Sequence, residues 1–128
     1  MTCSRNQLRL LAISGSTRAP SVHPAVLPAD ASLAPKGTEV LVSRGLAELP
    51  HFPPDLDTEH PPAAVAELRS AIKLADGLLI SSPEYAHGVP GAMKNALDWL
   101  VSYEGFINMP VALLNARPGA TWALTSLR

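Results

Sequence analysis

Apolar positions along this chain fall into short continuous runs that alternate with helical spacings. Leu8-Arg9-Leu10-Leu11-Ala12-Ile13 reads as a buried strand ending at the turn signal Ser14-Gly15. Thr38-Glu39-Val40-Leu41-Val42 alternates and is rich in β-branched residues, which makes it a second strand. Residues 77–82 form a third run. Pro110-Val111-Ala112-Leu113-Leu114-Asn115 forms a fourth, with proline confined to its first position as strands require. Val65, Leu68, Ile72 and Ala75 recur at intervals of 3, 4 and 3, one face of a helix over residues 62–75, and Pro61 and Pro62 suit its first turn. A helix over residues 91–103 places Met93, Leu97, Leu100 and Val101 on one face, with Lys94, Asn95 and Asp98 near its edge. A last helical pattern runs over residues 121–128.

Strands and helices in strict alternation call for an α/β fold: a doubly wound parallel sheet with right-handed crossovers and helices on both faces. The predicted strand order is 2-1-3-4, the flavodoxin-like arrangement. Strands 1 and 3 are then neighbours, and their C-terminal ends form the crevice where such sheets bind ligands. Five strand–helix units of about 30 residues each need roughly 150 residues. A chain of 128 residues leaves room for four, so the fifth strand is expected to be missing. Strand 4 would then lie at the sheet edge, where unpaired backbone groups invite association.

Composition narrows the function classes. The 128 residues suit a single domain spanning 1–128, 47 % hydrophobic and only 16 % charged. A net charge of −1 with no block of like charges gives nothing to attract nucleic acid or an anionic membrane. No run approaches the roughly 20 apolar residues of a membrane span, and the run at residues 10–13 is too short for a secretory signal. The single cysteine, Cys3, excludes an internal disulfide and a cysteine-rich metal site. A cytoplasmic protein is the expectation. His23, His51 and His60 lack metal-ligand spacing to one another and suit solvent or capping positions.

Two loops carry the candidate chemistry. In Ser14-Gly15-Ser16-Thr17-Arg18, hydroxyls from Ser14, Ser16 and Ser21 stand with the Arg18 guanidinium beside a glycine that permits close backbone approach. A polar turn between strand and helix is the plain reading. A phosphate site is the sharper one, because helix N-terminal amides and an arginine fork suit an anion. The second loop, Ser82-Pro83-Glu84-Tyr85-Ala86-His87-Gly88, lacks a nucleophile or metal partner at a diagnostic spacing. Pro83 and Tyr85 offer flat surfaces, and the backbone N–H groups of residues 85–88 suit a planar heterocycle with acceptors along one edge. His87 belongs at the site more through its backbone than its imidazole. A phosphate pocket beside a ring-accepting loop suits a mononucleotide such as FMN. Neither Gly-x-Gly-x-x-Gly nor Gly-x-x-x-x-Gly-Lys-Ser/Thr is present, which disfavours the dinucleotide and P-loop alternatives.

From residue 10 to about 128, the chain resembles the NADPH-dependent FMN reductase family. Pro83-Glu84-Tyr85, Val89-Pro90-Gly91 and Lys94-Asn95-Ala96-Leu97-Asp98-Trp99 look like that family's flavin loop and following helix. Ala86-His87-Gly88 varies a loop in which other members carry Asn first. Gly15-Ser16-Thr17-Arg18 with Ser21 is similar to the phosphate loop, and Asn115-Ala116-Arg117-Pro118 to the third flavin-lining loop. The resemblance implies bound FMN that takes a hydride from NADPH or NADH and passes two electrons to a small-molecule acceptor: a quinone, flavin, azo compound or chromate. It implies a flavin site of Ser14, Ser16, Arg18, Ser21, Pro83, Glu84, Tyr85, Ala86, His87, Gly88, Asn115 and Arg117, and a homodimer or homotetramer. No catalytic dyad is needed, since the cofactor performs the hard step. The rival reading is a truncated flavin-binding or interaction module with little turnover.

Three departures bear on that expectation. His23 stands where the family usually has Asn or Thr, and Pro24 and Pro28 fall where a helix should follow the phosphate loop. A proline inside a helix costs about 3 kcal/mol. Arg117 stands where Ser is usual, either reaching a pyrophosphate or projecting into solvent, and Gly119 where Arg is common. The early end of the chain is the third. The prolines are expected to weaken FMN binding, so Pro28→Ala should tighten it; an unchanged FMN dissociation constant would refute this.

Overall fold

The computed structural model describes residues 7–17, 32–115 and 117–128. Four strands, β1 (Leu8–Ser14), β2 (Thr38–Ser43), β3 (Gly77–Ser81) and β4 (Val111–Leu114), form one parallel sheet in the order β2-β1-β3-β4. Leu11 pairs with Leu41 on one side and Leu78 on the other, and Leu78 pairs with Val111. The fold is flavodoxin-like, as the alternation predicts. Accompanying the sheet are helices α1 (Ala63–Leu74), α2 (Gly91–Asp98) and α3 (Trp122–Leu127). The helix expected near residue 22, with His23, Pro24 and Pro28, lies outside the described residues, as does Cys3.

Laterally paired residues share a face, so Leu11 and Ile13 of β1 line up with Leu78 and Ile80 of β3. On that face they meet Val65, Leu68 and Ile72 of α1 and Met93 and Ala96 of α2, all buried. Three of the four apolar positions read as the face of the first helix are buried, and Ala75 is half-buried at its C-terminal cap. Trp99, with no exposed surface, fills the centre. Its ring meets Phe52 edge-on at 5.0 Å, and its indole N–H donates to Pro50 O at 2.8 Å.

The second helix departs from its expected course. It ends at Asp98 and tightens into turns closed by Leu100 N–H to Leu97 O and Tyr103 N–H to Leu100 O. The cause is distant in sequence. Arg69 of α1 donates to the Trp99 carbonyl at 2.6 Å, taking the acceptor a continuing helix would need. Three residues per turn then align Leu97 with Leu100 rather than Val101. Val101, expected on the buried face, is 78 % exposed. Asn95, placed near the edge of this helix, has a structural task. Its side-chain carbonyl accepts from Phe52 N–H at 2.8 Å and its amide donates to Pro50 O at 2.9 Å, clamping the 50–52 loop. Lys94 and Asp98 do form an edge pair one turn apart.

The guanidinium that stops α2 also joins α1 to the 54–58 turn. Arg69 pairs with Asp57 at 2.8 Å, Ser102 Oγ donates to the other Asp57 oxygen at 2.5 Å, and Arg69 lies over the Tyr103 ring. Both members of the ion pair are largely withdrawn from solvent, so this is more than a surface bridge. The Ser102 hydrogen bond, then that of Arg69 and its charge, hold Asp57 below its ordinary 3.8 against the opposing effect of burial. Such a carboxylate contributes stability above its unfolded-state value that disappears as pH falls through its lowered folded-state value. Asp57→Asn should therefore cost about 1–3 kcal/mol near neutral pH. In denaturant titrations that deficit should narrow as pH drops below about 3.8; a pH-independent difference would refute the assignment.

Candidate functional site

The C-terminal ends of β1, β3 and β4 bring three loops together in that order. β1 delivers Ser14-Gly15-Ser16-Thr17, and β3 delivers residues 82–90 beside it. Gly15 N–H donates to Ser81 O at 2.8 Å, continuing the ladder past the end of the strand. A Cβ on Gly15 would lie 2.6 Å from Ser82 Oγ and 3.2 Å from Ser82 Cα, so glycine is the residue that fits. Ser14 is buried and its hydroxyl serves the turn itself, accepting from Ser16 N–H at 3.2 Å. Arg18 and Ser21, the other proposed phosphate contacts, lie outside the described residues.

The β3 loop differs in detail from its sequence reading. Tyr85 and Gly88 bridge each other, with Tyr85 N–H to Gly88 O at 3.2 Å and Gly88 N–H to Tyr85 O at 3.0 Å. Both residues at the tip have positive φ, 49° at Ala86 and 57° at His87, the geometry of a type I′ turn. Of the four amides expected to serve a heterocycle, Tyr85 and Gly88 spend theirs on each other. Those of Ala86 and His87 carry no partner among the described residues and sit on an exposed tip. Pro83 is buried with Ser81 and Ser82 and does not present the flat exposed surface expected of it. Tyr85 does, at 56 % exposure.

Glu84 also has a second task. Its carboxylate accepts from Ala123 N–H at 3.0 Å, pinning the first turn of α3 to the β3 loop. Its side chain thus serves as a helix cap. The third loop is closed by Asn115, which accepts from Arg117 N–H at 3.0 Å and donates to Ala120 O at 3.1 Å. Arg117 is exposed, as the solvent alternative had it. The sequence reading missed Trp122, the first residue of α3, whose ring stands 5.9 Å from that of His87. An aromatic residue opening a short helix directly after a loop was the available signal.

A cavity of about 320 Å³ lies elsewhere, between β2, the turn at residues 45–49 and α1, with Leu41, Leu46 and Leu68 among its walls. None of the predicted site residues lines it. No three His, Cys, Asp or Glu side chains among the described residues are placed to hold a metal. Likewise, no described helix is long and apolar enough to cross a membrane.

The donor set fits a flavin's ring edge. Two adjacent unpartnered amides on an exposed tip suit a flat heterocycle whose carbonyl and nitrogen acceptors lie along one side. Gly15→Ala should push the β1 and β3 loops apart and cost about 1–3 kcal/mol of stability in chemical denaturation. A variant as stable as the parent would show that the close approach does not matter.

Comparison with known proteins agrees with the geometry. Residues 8–128 match the model of the NADPH-dependent FMN reductase family. A quinone reductase of Escherichia coli is 37 % identical over 95 residues, 73 % of this chain and 50 % of that protein. An NAD(P)H-dependent FMN reductase of Pseudomonas aeruginosa is 33 % identical over 116 residues, 89 % of this chain and 62 % of its own length. Among solved structures, the flavoenzyme NAD(P)H:(acceptor) oxidoreductase of Paracoccus denitrificans superposes with a TM-score of 0.82 at 28 % identity, covering 94 % of this chain and 68 % of that one. The chain thus spans about half to two-thirds of the length of these relatives. With its sheet order, its paired loops and a match running through nearly all of its length, the chain belongs to the NADPH-dependent FMN reductase family.

Proposed function

We propose that this chain binds FMN at the ends of β1, β3 and β4 and works as an NAD(P)H-dependent oxidoreductase toward a small acceptor such as a quinone, azo compound, flavin or chromate. The observation that carries this reading is the pair of amides at Ala86 and His87, which have no partner among the described residues. Bound FMN would accept a hydride from NADPH or NADH and deliver two electrons onward. The chain's own part is orientation. Ala86 and His87 N–H donate to the ring edge, Tyr85 and Gly88 flank it, and Glu84 fixes the loop through Ala123. On the β1 side, Ser16, Arg18 and Ser21 would hold the phosphate while Ser14 shapes the turn. Asn115 sets the third loop beside them, with Arg117 at its rim.

Among the described residues the outer edge of β4 is unpaired, and Val111 on that strand is 43 % exposed. That edge supports self-association as a homodimer or homotetramer. The need for NAD(P)H supports a cytoplasmic location. A second reading, of a different class, is a flavin-binding or interaction module with little turnover.

Titration with FMN, followed by quenching of flavin fluorescence, separates these readings. Saturable binding near or below micromolar is expected, weakened roughly tenfold or more by Arg18→Ala through loss of a charge-assisted contact. NAD(P)H consumption with a quinone should follow. Binding without consumption would favour the module, and absence of binding would overturn both.

A further inference from the structure

Trp122 and His87 face each other across the gap between α3 and the β3 loop, and no described part of the core accounts for them. Their ring centroids are 5.9 Å apart with planes inclined by 56°. Trp122 is 59 % exposed and His87 is exposed as well, in contrast to Trp99, which has no exposed surface. An indole left that far in water forfeits most of its burial energy, and a helix usually turns such a residue inward. Here α3 is not free to turn: Glu84 holds Ala123 N–H, the residue next to Trp122, and Ala123 itself is buried. On the other side, the Tyr85–Gly88 bridge and the left-handed backbone at Ala86 and His87 set His87 at the turn tip. Two independent restraints therefore hold an exposed ring pair beside the amides assigned to the flavin edge.

We propose that Trp122, backed by His87, is a specificity-determining wall against which a planar aromatic acceptor stacks. The inference rests on the FMN reading above and goes beyond it by naming the residue that selects the acceptor. Stacking on an indole suits any flat conjugated ring, which is why aromatic walls bind such ligands with tolerance for their substituents. The wall is built of rings and carries no lysine or arginine, and the carboxylate of this loop is engaged at Ala123. A quinone finds a face in it.

The two tryptophans make this directly testable, since each contributes one indole N–H signal in a proton–nitrogen correlation spectrum. The Trp122 signal is assigned as the one lost in Trp122→Phe. Oxidised FMN-loaded protein, with no NAD(P)H present, is titrated with 1,4-naphthoquinone. The Trp122 signal should move saturably while that of Trp99, bonded to Pro50 O in the core, stays in place. In steady-state assays Trp122→Ala should raise KM for naphthoquinone about fivefold or more, the weight of one stacked ring. Its kcat should stay within about twofold, the lost contact serving ground state and transition state alike. Trp122→Phe should restore KM.

A still Trp122 signal, with FMN bound, quinone reduced and KM unchanged in Trp122→Ala, would remove the wall and leave the FMN reading standing. A Trp122 signal that shifts with protein concentration alone would assign the ring to a contact between copies and overturn the proposal. Failure to bind FMN would overturn both readings. Should Trp122→Ala not fold, the parent titration and Trp122→Phe still decide.

Discussion

The approach of Gly15 to Ser82 is the constraint on which the site depends. Parallel pairing of β1 with β3 stacks their C-terminal ends, and the Gly15 N–H to Ser81 O bond carries that pairing one residue beyond the strand. No side chain fits between them. Two loops that leave the sheet in contact share one crevice, so a ligand spanning both is bound by a preset geometry. The order β2-β1-β3-β4 makes β1 and β3 neighbours. The glycine determines how close their loops come.

A second layer of contacts fixes where the β3 loop goes next. That loop runs into α2, and α2 is clamped from below. Trp99 is wedged in the core with its indole N–H on Pro50 O, Asn95 grips both Pro50 and Phe52, and Arg69 takes the Trp99 carbonyl. These bonds join segments 30 to 49 residues apart in the chain. Helix α2 is therefore held at its end rather than along its length, and the loop at its start inherits that position. Arg69 Nε is the one buried side-chain atom without a partner among the described residues. Its cost is offset by the ion pair, the carbonyl contact and the Tyr103 ring that the same side chain engages.

Strands were legible because their signal is local. Runs such as Leu8 to Ile13 and residues 77–82, bounded by Gly, Ser or Pro, match the observed strands to within a residue at either end. The strand order came from the flavodoxin-like arrangement, and the location of the loops from the strand order. What could not be read depends on contacts remote in sequence. Val101 sits in a good helical pattern, yet the capture of one carbonyl by Arg69 rotates it into solvent. Asn95 reads as a helix edge, and only the folded chain shows the 50–52 loop lying across it. The type I′ turn at Ala86-His87 lacks the Asn-Gly signature of such turns, so the loss of two of its four amides to the bridge was invisible. Trp122 stayed hidden for a related reason: its exposure follows from a cap supplied 39 residues earlier.

The Ala86-His87 turn sets local preference against global fit. Left-handed backbone at a non-glycine residue costs about 1–2 kcal/mol, and this tip carries two such residues. Strain of that size persists only when its surroundings over-determine it. Three restraints do so here: the double Tyr85–Gly88 bridge, the Glu84 hold on α3 and the packed floor of Ser81, Ser82 and Pro83. Relaxing the tip toward right-handed backbone would break the bridge and turn the Ala86 and His87 amides away from where they now stand. The strain and the donor pair are thus one feature: the backbone that is costly to hold is the backbone that leaves two amides unspent. That the chain holds it with Ala and His, rather than with the cheaper Asn and Gly, puts an imidazole where glycine would leave no side chain, and that imidazole is the ring Trp122 meets.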